Sequence, residues 1–301
     1  MSELALVHLV RRQNGLAPFE RFLESYREHP AGAAHQLVIL LKGFPAGEGN
    51  PLYDRLLDGV PHRRLFVSDS GLDLSAYFEA VERLDHERFC FLNSYSRILD
   101  QGWLGKLARW LGEEGVGLVG ATGSWQSMAR GNSARRGEGV ASRLTRLRVR
   151  TALALRDRRP GALARRASLW ALRLAGVWQP ARDVPPFPNY HLRTNAFMIE
   201  RRTLGRVRIG PLRSRLSAYK FESGYDSLTN QVLRLGLKVL VVGRDGEGYP
   251  PERWHVSNTF RQSRQENLLV ADNQTEAYMA TDPAARALLA RDAWGELARP
   301  R

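Results

Sequence analysis

The chain of 301 residues is 43% hydrophobic and 25% charged, a composition that supports a sizeable core and excludes the disordered, fibrous and low-complexity classes. It has no run of about 18 apolar residues, so no membrane-crossing helix is expected, and its one cysteine, Cys90, cannot form an intramolecular disulfide and fits a reducing compartment. The formal charge is +14, but the stretch from Arg130 to Arg182 holds 14 arginines against Glu138 and Asp157, which is 14 − 2 = +12, so the rest of the chain is close to neutral.

In chain order, the N-terminus MSELALVHLVRRQNG has its acid before a short apolar run and its basic pair after it, the reverse of a secretory signal, and a cytoplasmic protein is expected. Residues 4–10 read as a strand, and PFERFLESYREH follows as a helix with Phe19, Phe22, Leu23 and Tyr26 on one face. Further apolar runs at 36–41, 64–67, 88–92 and 116–120 read as strands. Between them fall helices near 52–57, 74–84 and 103–113. Strands alternating with helices at this spacing predict an α/β fold with a mostly parallel sheet flanked by helices. In such sheets ligands bind beyond the carboxyl ends of strands, where Asp69 and Asn93–Ser96 fall.

Residues 126–187 interrupt the alternation. Leucines interleaved with arginines, broken by Pro160-Gly161, predict a basic helical hairpin. Strand patterning resumes at 195–199. A helix is expected from Glu222–Asp226 through Leu235, then a strand at 238–243 and a terminal helix over 283–297. The predicted organisation is an N-terminal half (1–125), the basic insertion (126–187), and a second half with a polar, aromatic tail (188–301). No internal repeat is present.

Three segments carry chemistry. Ser68-Asp69-Ser70-Gly71 ends the third strand. FCFLNSYSRILDQGWL (Phe89–Leu104) places Asn93-Ser94-Tyr95-Ser96 at the end of the fourth. Glu222-Ser223-Gly224-Tyr225-Asp226 follows the last long loop. Together, in this order from Leu4 to Gly243, they resemble the GT-A fold of nucleotide-sugar glycosyltransferases, family 2 enzymes and their rhamnosyltransferase-like members in particular. The first resembles the donor-base segment. The second is similar to the LNNDT…GWL form of the DxD motif, and the third to the segment that supplies the catalytic base. The insertion and the tail after Gly243 lie outside this shared core.

The resemblance implies a nucleotide-sugar donor, bound by Asp69, Gly71, Asn93, Ser94, Tyr95 and Ser96, and hexosyl or deoxyhexosyl transfer to a glycan or lipid-linked acceptor in polysaccharide biosynthesis. Glu222 takes the role of general base and Asp226 that of an orienting acid, which implies inversion at the anomeric carbon. An acid stabilised at a helix N-terminus is the plain alternative for Glu222, and a helix N-cap the alternative for Asp69. Members of the family usually hold Mg²⁺ or Mn²⁺ through an Asp where this chain has Tyr95. A protonated phenol is a poor ligand for such ions, so three outcomes stay open: a metal held mainly by phosphate oxygens, cationic side chains in its place, or a non-catalytic glycan- or partner-binding protein. Arg193, Arg261 and Arg264 are the candidate cations. Asn195 and the Trp254–Arg261 stretch, with His255 as a possible ligand, are the candidate acceptor and phosphate contacts. The basic insertion reads as a solvated helical pair, as a peripheral surface for the anionic inner face of a membrane, or as a nucleic-acid footprint. The last has least support, because Trp170 and Trp178 are its only aromatics before Phe187.

Overall fold

Leu4–Arg11 is apolar at nearly every position because, as strand β1, it is buried on both faces of a sheet. In the computed structural model, which describes residues 3–45, 50–129, 180–210, 212 and 214–298, β1 pairs in parallel with β2 (Gln36–Lys42) and β4 (Arg88–Leu92). β3 (Arg63–Val67) pairs in parallel with β2. The sheet continues through β6 (Val116–Gly120), β9 (Ala196–Glu200), β10 (Lys238–Val242) and β11 (Gly248–Tyr249) in the order β11-β10-β6-β9-β4-β1-β2-β3, eight strands in all. The fold is thus α/β with a mostly parallel sheet. β9 runs antiparallel between β4 and β6, and β11 returns antiparallel on β10. Short pairs lie outside the main sheet: β5 (Arg97–Ile98) with β12 (Val270–Ala271), and β7 (Gly123–Ser124) with β8 (His191–Leu192).

The pleat of β1 divides the core. Ala5, Val7 and Leu9 face α3 (Asp73–Arg83), packed with Tyr77, Phe91 and Phe197. Leu4, Leu6 and Val10 face α1 (Ala17–Glu28) and α4 (Trp103–Leu111), packed with Phe22, Trp103 and Cys90. Cys90 is fully buried. His8 belongs to this second face, its ring 3.6 Å from that of Phe22 and nearly parallel to it.

The remaining α-helices among the described residues are α2 (Pro51–Leu56), α5 (Pro180–Asp183), α6 (Arg201–Leu204), α7 (Arg215–Ser223), α8 (Leu228–Arg234), α9 (Asn273–Met279) and α10 (Pro283–Trp294). The expected single helix from Glu222 to Leu235 is two helices. At Gly224 the chain passes so close to α7 and α5 that a Cβ there would lie 2.5 Å from Lys220 O and 3.1 Å from Asp183 O. Ser227 then caps α8 by accepting from Asn230 N at 3.2 Å. Glu222 therefore closes one helix instead of opening another.

The basic helical insertion expected over 126–187 falls almost wholly on residues 130–179, outside the described residues. Its described ends are joined. Asn189 N donates to Trp125 O at 2.9 Å, Ser127 Oγ donates to Pro185 O at 2.5 Å, and β7 pairs with β8 just beyond. No described helix is long and apolar enough to cross a membrane.

Because β2 and β3 extend the sheet on one side of β1 and β4 on the other, the crossovers diverge and leave a crevice at the carboxyl ends of β1 and β4. β9, being antiparallel, brings its beginning, not its end, to that same edge.

Candidate active site at the carboxyl edge of the sheet

On the β1–β3 side, the chain exits are tied together by a buried and a half-buried cation. Lys42, 1% exposed at the end of β2, donates from Nζ to Ser68 O and Ser70 O, both at 2.8 Å, and so fixes the loop that carries Asp69. Burial, and next the Arg11 charge, push its pKa down, against the pull of Asp69, Asp73 and Glu79. Arg11, at the end of β1, donates to Asp73 Oδ1 at 3.2 Å. Gly71 turns this loop with φ +72°, and a Cβ there would lie 3.1 Å from Leu212 O. Asp69 itself is exposed at the crevice rim.

The 93–96 loop is closed on itself and on β9. Asn93 Oδ1 accepts from Tyr95 N at 2.9 Å and from Ser96 Oγ at 3.2 Å, while Asn93 N and Ser96 Oγ both reach Asn195 O. Asn195 is 3% exposed, and its Oδ1 accepts from Thr122 Oγ1 at 2.7 Å. Its Nδ2 and Ser94 Oγ have no hydrogen-bond partner among the described residues. Asn93 and Ser96 were expected to meet the donor directly, but the carboxamide oxygen already serves two local donors and the serine hydroxyl is buried. This set does not fit a divalent cation: it offers no carboxylate, its amide oxygen is engaged, and the Asn195 group left over is a hydrogen donor. Among the described residues no three His, Cys, Asp or Glu side chains cluster as metal ligands.

Glu222 lies in the last turn of α7. Thr194 Oγ1 donates to its Oε1 in a short hydrogen bond. Burial raises the carboxyl above its ordinary value, the Thr194 bond and Arg193 oppose that rise, and Asp73 adds to it. Glu222 thus feels the charge of Asp73 in the first turn of α3. Tyr77 of α3 joins the group: its phenol, 1% exposed, is pushed well above its usual range by burial first, then by Asp73 and Glu222. Asp226, expected beside Glu222, is not there. The break at Gly224 puts it on the surface, where Arg234 Nη2 donates to its Oδ1 at 2.7 Å.

The third wall comes from the tail. Arg193 donates to Asp272 Oδ2 at 2.7 Å, and its guanidinium lies 4.3 Å from the centre of the Phe260 ring. Asp272, with 2% of its side chain exposed, also caps α9 through Gln274 N and Thr275 N. Burial pushes its carboxyl up, but Arg193 and the two backbone donors outweigh burial and hold it below the ordinary range. Arg261 lies 4.9 Å from the same ring and donates to Gln126 Oε1 at 3.3 Å and Gln274 Oε1 at 3.4 Å. Trp254 cannot stack on a sugar as expected. It is fully buried, and its Nε1 donates to Tyr249 O at 2.8 Å. His255 is bonded through Nδ1 to Glu252 O and rests its ring 4.9 Å from that of Trp125. Arg264 is exposed, outside the Arg193–Phe260–Arg261 group.

The edge therefore gathers Asp69, Asn93–Ser96, Arg193, Asn195, Glu222 and Arg261, and leaves out Asp226 and Trp254. Sequence reasoning gave no role to Arg11, Lys42 or Asp272, and of these only Asp272 has a local signal, the Asp-Asn-Gln-Thr run of a capping box.

No family model matches the chain, and no curated protein matches its sequence. Solved structures similar to it include the mannosyltransferase PcManGT from Pyrobaculum calidifontis in complex with GDP-Man and Mn²⁺, at TM-score 0.43 and 13% identity over 98% of this chain and 70% of that one. TarS from S. aureus is similar over 46% of this chain, at 12% identity in both of its structures. The TM-score is 0.32 for residues 1–349, of which 38% is covered, and 0.31 for the longer chain, of which 23% is covered. At these scores the functional reading rests on the chain's own residues.

Proposed function

We propose that the chain is a GT-A-type glycosyltransferase that moves a sugar from a nucleoside-diphosphate donor to a hydroxyl-bearing acceptor, with inversion and without a protein-held divalent metal. The observation that carries this is Glu222: a carboxyl kept above its ordinary pKa by burial, hydrogen-bonded by Thr194, and within electrostatic reach of Asp73, which opens the helix after the Ser68–Gly71 loop. In this reading Glu222 takes the proton of the acceptor hydroxyl as that oxygen attacks the anomeric carbon. The nucleoside diphosphate leaves from the opposite face with the bonding electron pair. Its developing charge is met by Arg11, Arg193 and Arg261, since guanidinium forks pair with phosphate oxygens and the 93–96 loop does not fit a cation. Thermal shifts against a panel of nucleotide sugars, with and without Mn²⁺, followed by hydrolysis and transfer assays, test it. The expected result is a donor that shifts the melting temperature equally with and without Mn²⁺, and turnover lost in Glu222→Gln. No shift from any donor overturns it.

A second reading, a non-catalytic glycan- or partner-binding protein, is favoured by the self-closed 93–96 loop with Tyr95 in place of a carboxylate. Donor binding without turnover, the same in Glu222→Gln, is its signature. For the 130–182 segment the proposal is docking at an anionic membrane surface.

A further inference from the structure

The turn that joins β8 to β9 carries three consecutive residues with three different duties. Arg193 Nη2 donates to Asp272 Oδ2 of the tail at 2.7 Å. Thr194 Oγ1 donates to Glu222 Oε1 on α7. Asn195 accepts through its carbonyl oxygen from Asn93 N at 3.0 Å and from Ser96 Oγ at 3.2 Å. The turn is pinned from β6 as well: Arg193 N donates to Thr122 O at 3.0 Å, and Thr122 Oγ1 donates to Asn195 Oδ1 at 2.7 Å. The carboxyl of Glu222, the 93–96 loop and the tail thus meet at one short piece of backbone, and whatever orients that piece orients all of them.

Asp272 is the member whose charge its local structure does not require. As N-cap of α9 it needs one acceptor oxygen, and one is what the cap uses: Gln274 N and Thr275 N both donate to Oδ1, at 3.0 Å and 2.9 Å. Asparagine or serine caps a helix as well as aspartate does, and neither carries the desolvation cost of a buried carboxylate. The Asp272 side chain is 2% exposed, against 12% for Arg193. An ion pair so placed adds little net stability over apolar groups of the same volume. What it fixes is a direction, since Oδ2 holds one edge of the guanidinium while Phe260 lies against it, 4.3 Å from the ring centre. Asp272 is in turn fixed beside the loop it serves. β12 ends at Ala271, which pairs with Arg97 of β5, the residue directly after Ser96, and Arg97 Nε donates to Glu276 Oε1 of α9 at 3.0 Å.

We propose that Asp272 is a positioning residue: through Arg193 it sets the 193–195 turn, and with it the hydroxyl that binds Glu222 and the carbonyl that anchors the 93–96 loop. The consequence for turnover rests on the transferase reading, whereas the consequence for the turn does not. The tail after Gly243 is then part of what makes the site competent.

Substitutions in the full chain separate this role from capping. Asp272→Asn keeps the cap oxygen but turns an N–H group toward Arg193, and Asp272→Ser, smaller and equally a cap, answers if the first variant does not fold. Thr275→Ala removes a hydroxyl that closes the same cap by accepting from Asp272 N at 2.7 Å, and it leaves the carboxylate on Arg193. Hydrogen exchange of Arg193 N and Asn93 N reads the turn without a ligand. Relative to the amides of β1, both are expected to exchange at least tenfold faster in the Asp272 variants and within threefold of the parent in Thr275→Ala. With a nucleotide-sugar donor, kcat should fall at least tenfold in the Asp272 variants while the donor KM stays within threefold, and Thr275→Ala should keep the parent kcat below its melting temperature. Exchange unchanged by the Asp272 substitutions, or accelerated equally by Thr275→Ala, overturns the proposal, as does a kcat that merely follows melting temperature in all variants. A parent chain that responds to no donor sinks the transferase reading and leaves the exchange rates to decide. A parent that turns over, with the Asp272 variants as fast, sinks the positioning role alone.

Discussion

Glu222 and Thr194 form the smallest unit in which sequence becomes chemistry here. A threonine hydroxyl donating to a carboxylate favours the ionised form, so the bond opposes the rise that burial imposes on Glu222. Thr194→Val is expected to raise the pKa of Glu222 and move the acid limb of the kcat/KM profile to higher pH, with turnover retained above it. Glu222→Gln is expected to lose about 10²–10⁴ in turnover at every pH. His8 bears on stability instead. Its imidazole is fully buried with both nitrogens unpartnered among the described residues, and burial pushes its pKa from 6.5 down to about 3. Below pH 6.5 the unfolded chain takes up a proton that the folded chain refuses, so stability falls with pH until about 3. At pH 5 the loss is about 2 kcal/mol. His8→Leu is expected to lessen the fall in melting temperature between pH 7 and 5, the remainder coming from His191 and His86, which burial also pushes down, and an unchanged slope would contradict the assignment. At this scale Glu222 was singled out through the resemblance of its segment to the one that supplies a catalytic base. Its partners were not, because Thr194 lies 28 positions away and the Arg193–Asp272 pair spans 79, separations that only the folded sheet closes.

Strands were the readable elements. β1, β2, β4 and β6 are covered on both faces, so burial wrote them as unbroken apolar runs. The direction of β9 was not written anywhere within it: Ala-Phe-Met-Ile-Glu fits either orientation, and pairing with β4 and β6 decides. The α7–α8 break was hidden for a different reason. The constraint on Gly224 is the proximity of Lys220 O and Asp183 O, a tertiary fact. Gly224→Ala forces those carbonyls apart, and overpacking of this kind costs about 1–3 kcal/mol. A lower urea midpoint at unchanged slope is the expected outcome, accompanied by slower turnover because Glu222 sits two residues before the joint.

Over the whole molecule, charge is as unevenly laid out as chemistry. With +12 between Arg130 and Arg182, and about 1 kcal/mol per basic side chain near an anionic bilayer, flotation with anionic vesicles is expected at low ionic strength. Screening should abolish it near 0.5 M salt, where the Debye length falls to about 4 Å, and neutral vesicles should not bind at all. Flotation that ignores salt and lipid charge would exclude electrostatic docking. The clasp of β7 with β8, extended by the Trp125–Asn189 and Ser127–Pro185 hydrogen bonds, has an architectural consequence. Whatever hangs between its two ends leaves and re-enters the domain at one point. Closing a shorter loop there changes the entropy little, about 0.6 kcal/mol for each halving of length. With residues 130–179 exchanged for a brief Gly-Ser linker, the clasp is expected to stay closed, read as β7–β8 amides that keep their protection from hydrogen exchange.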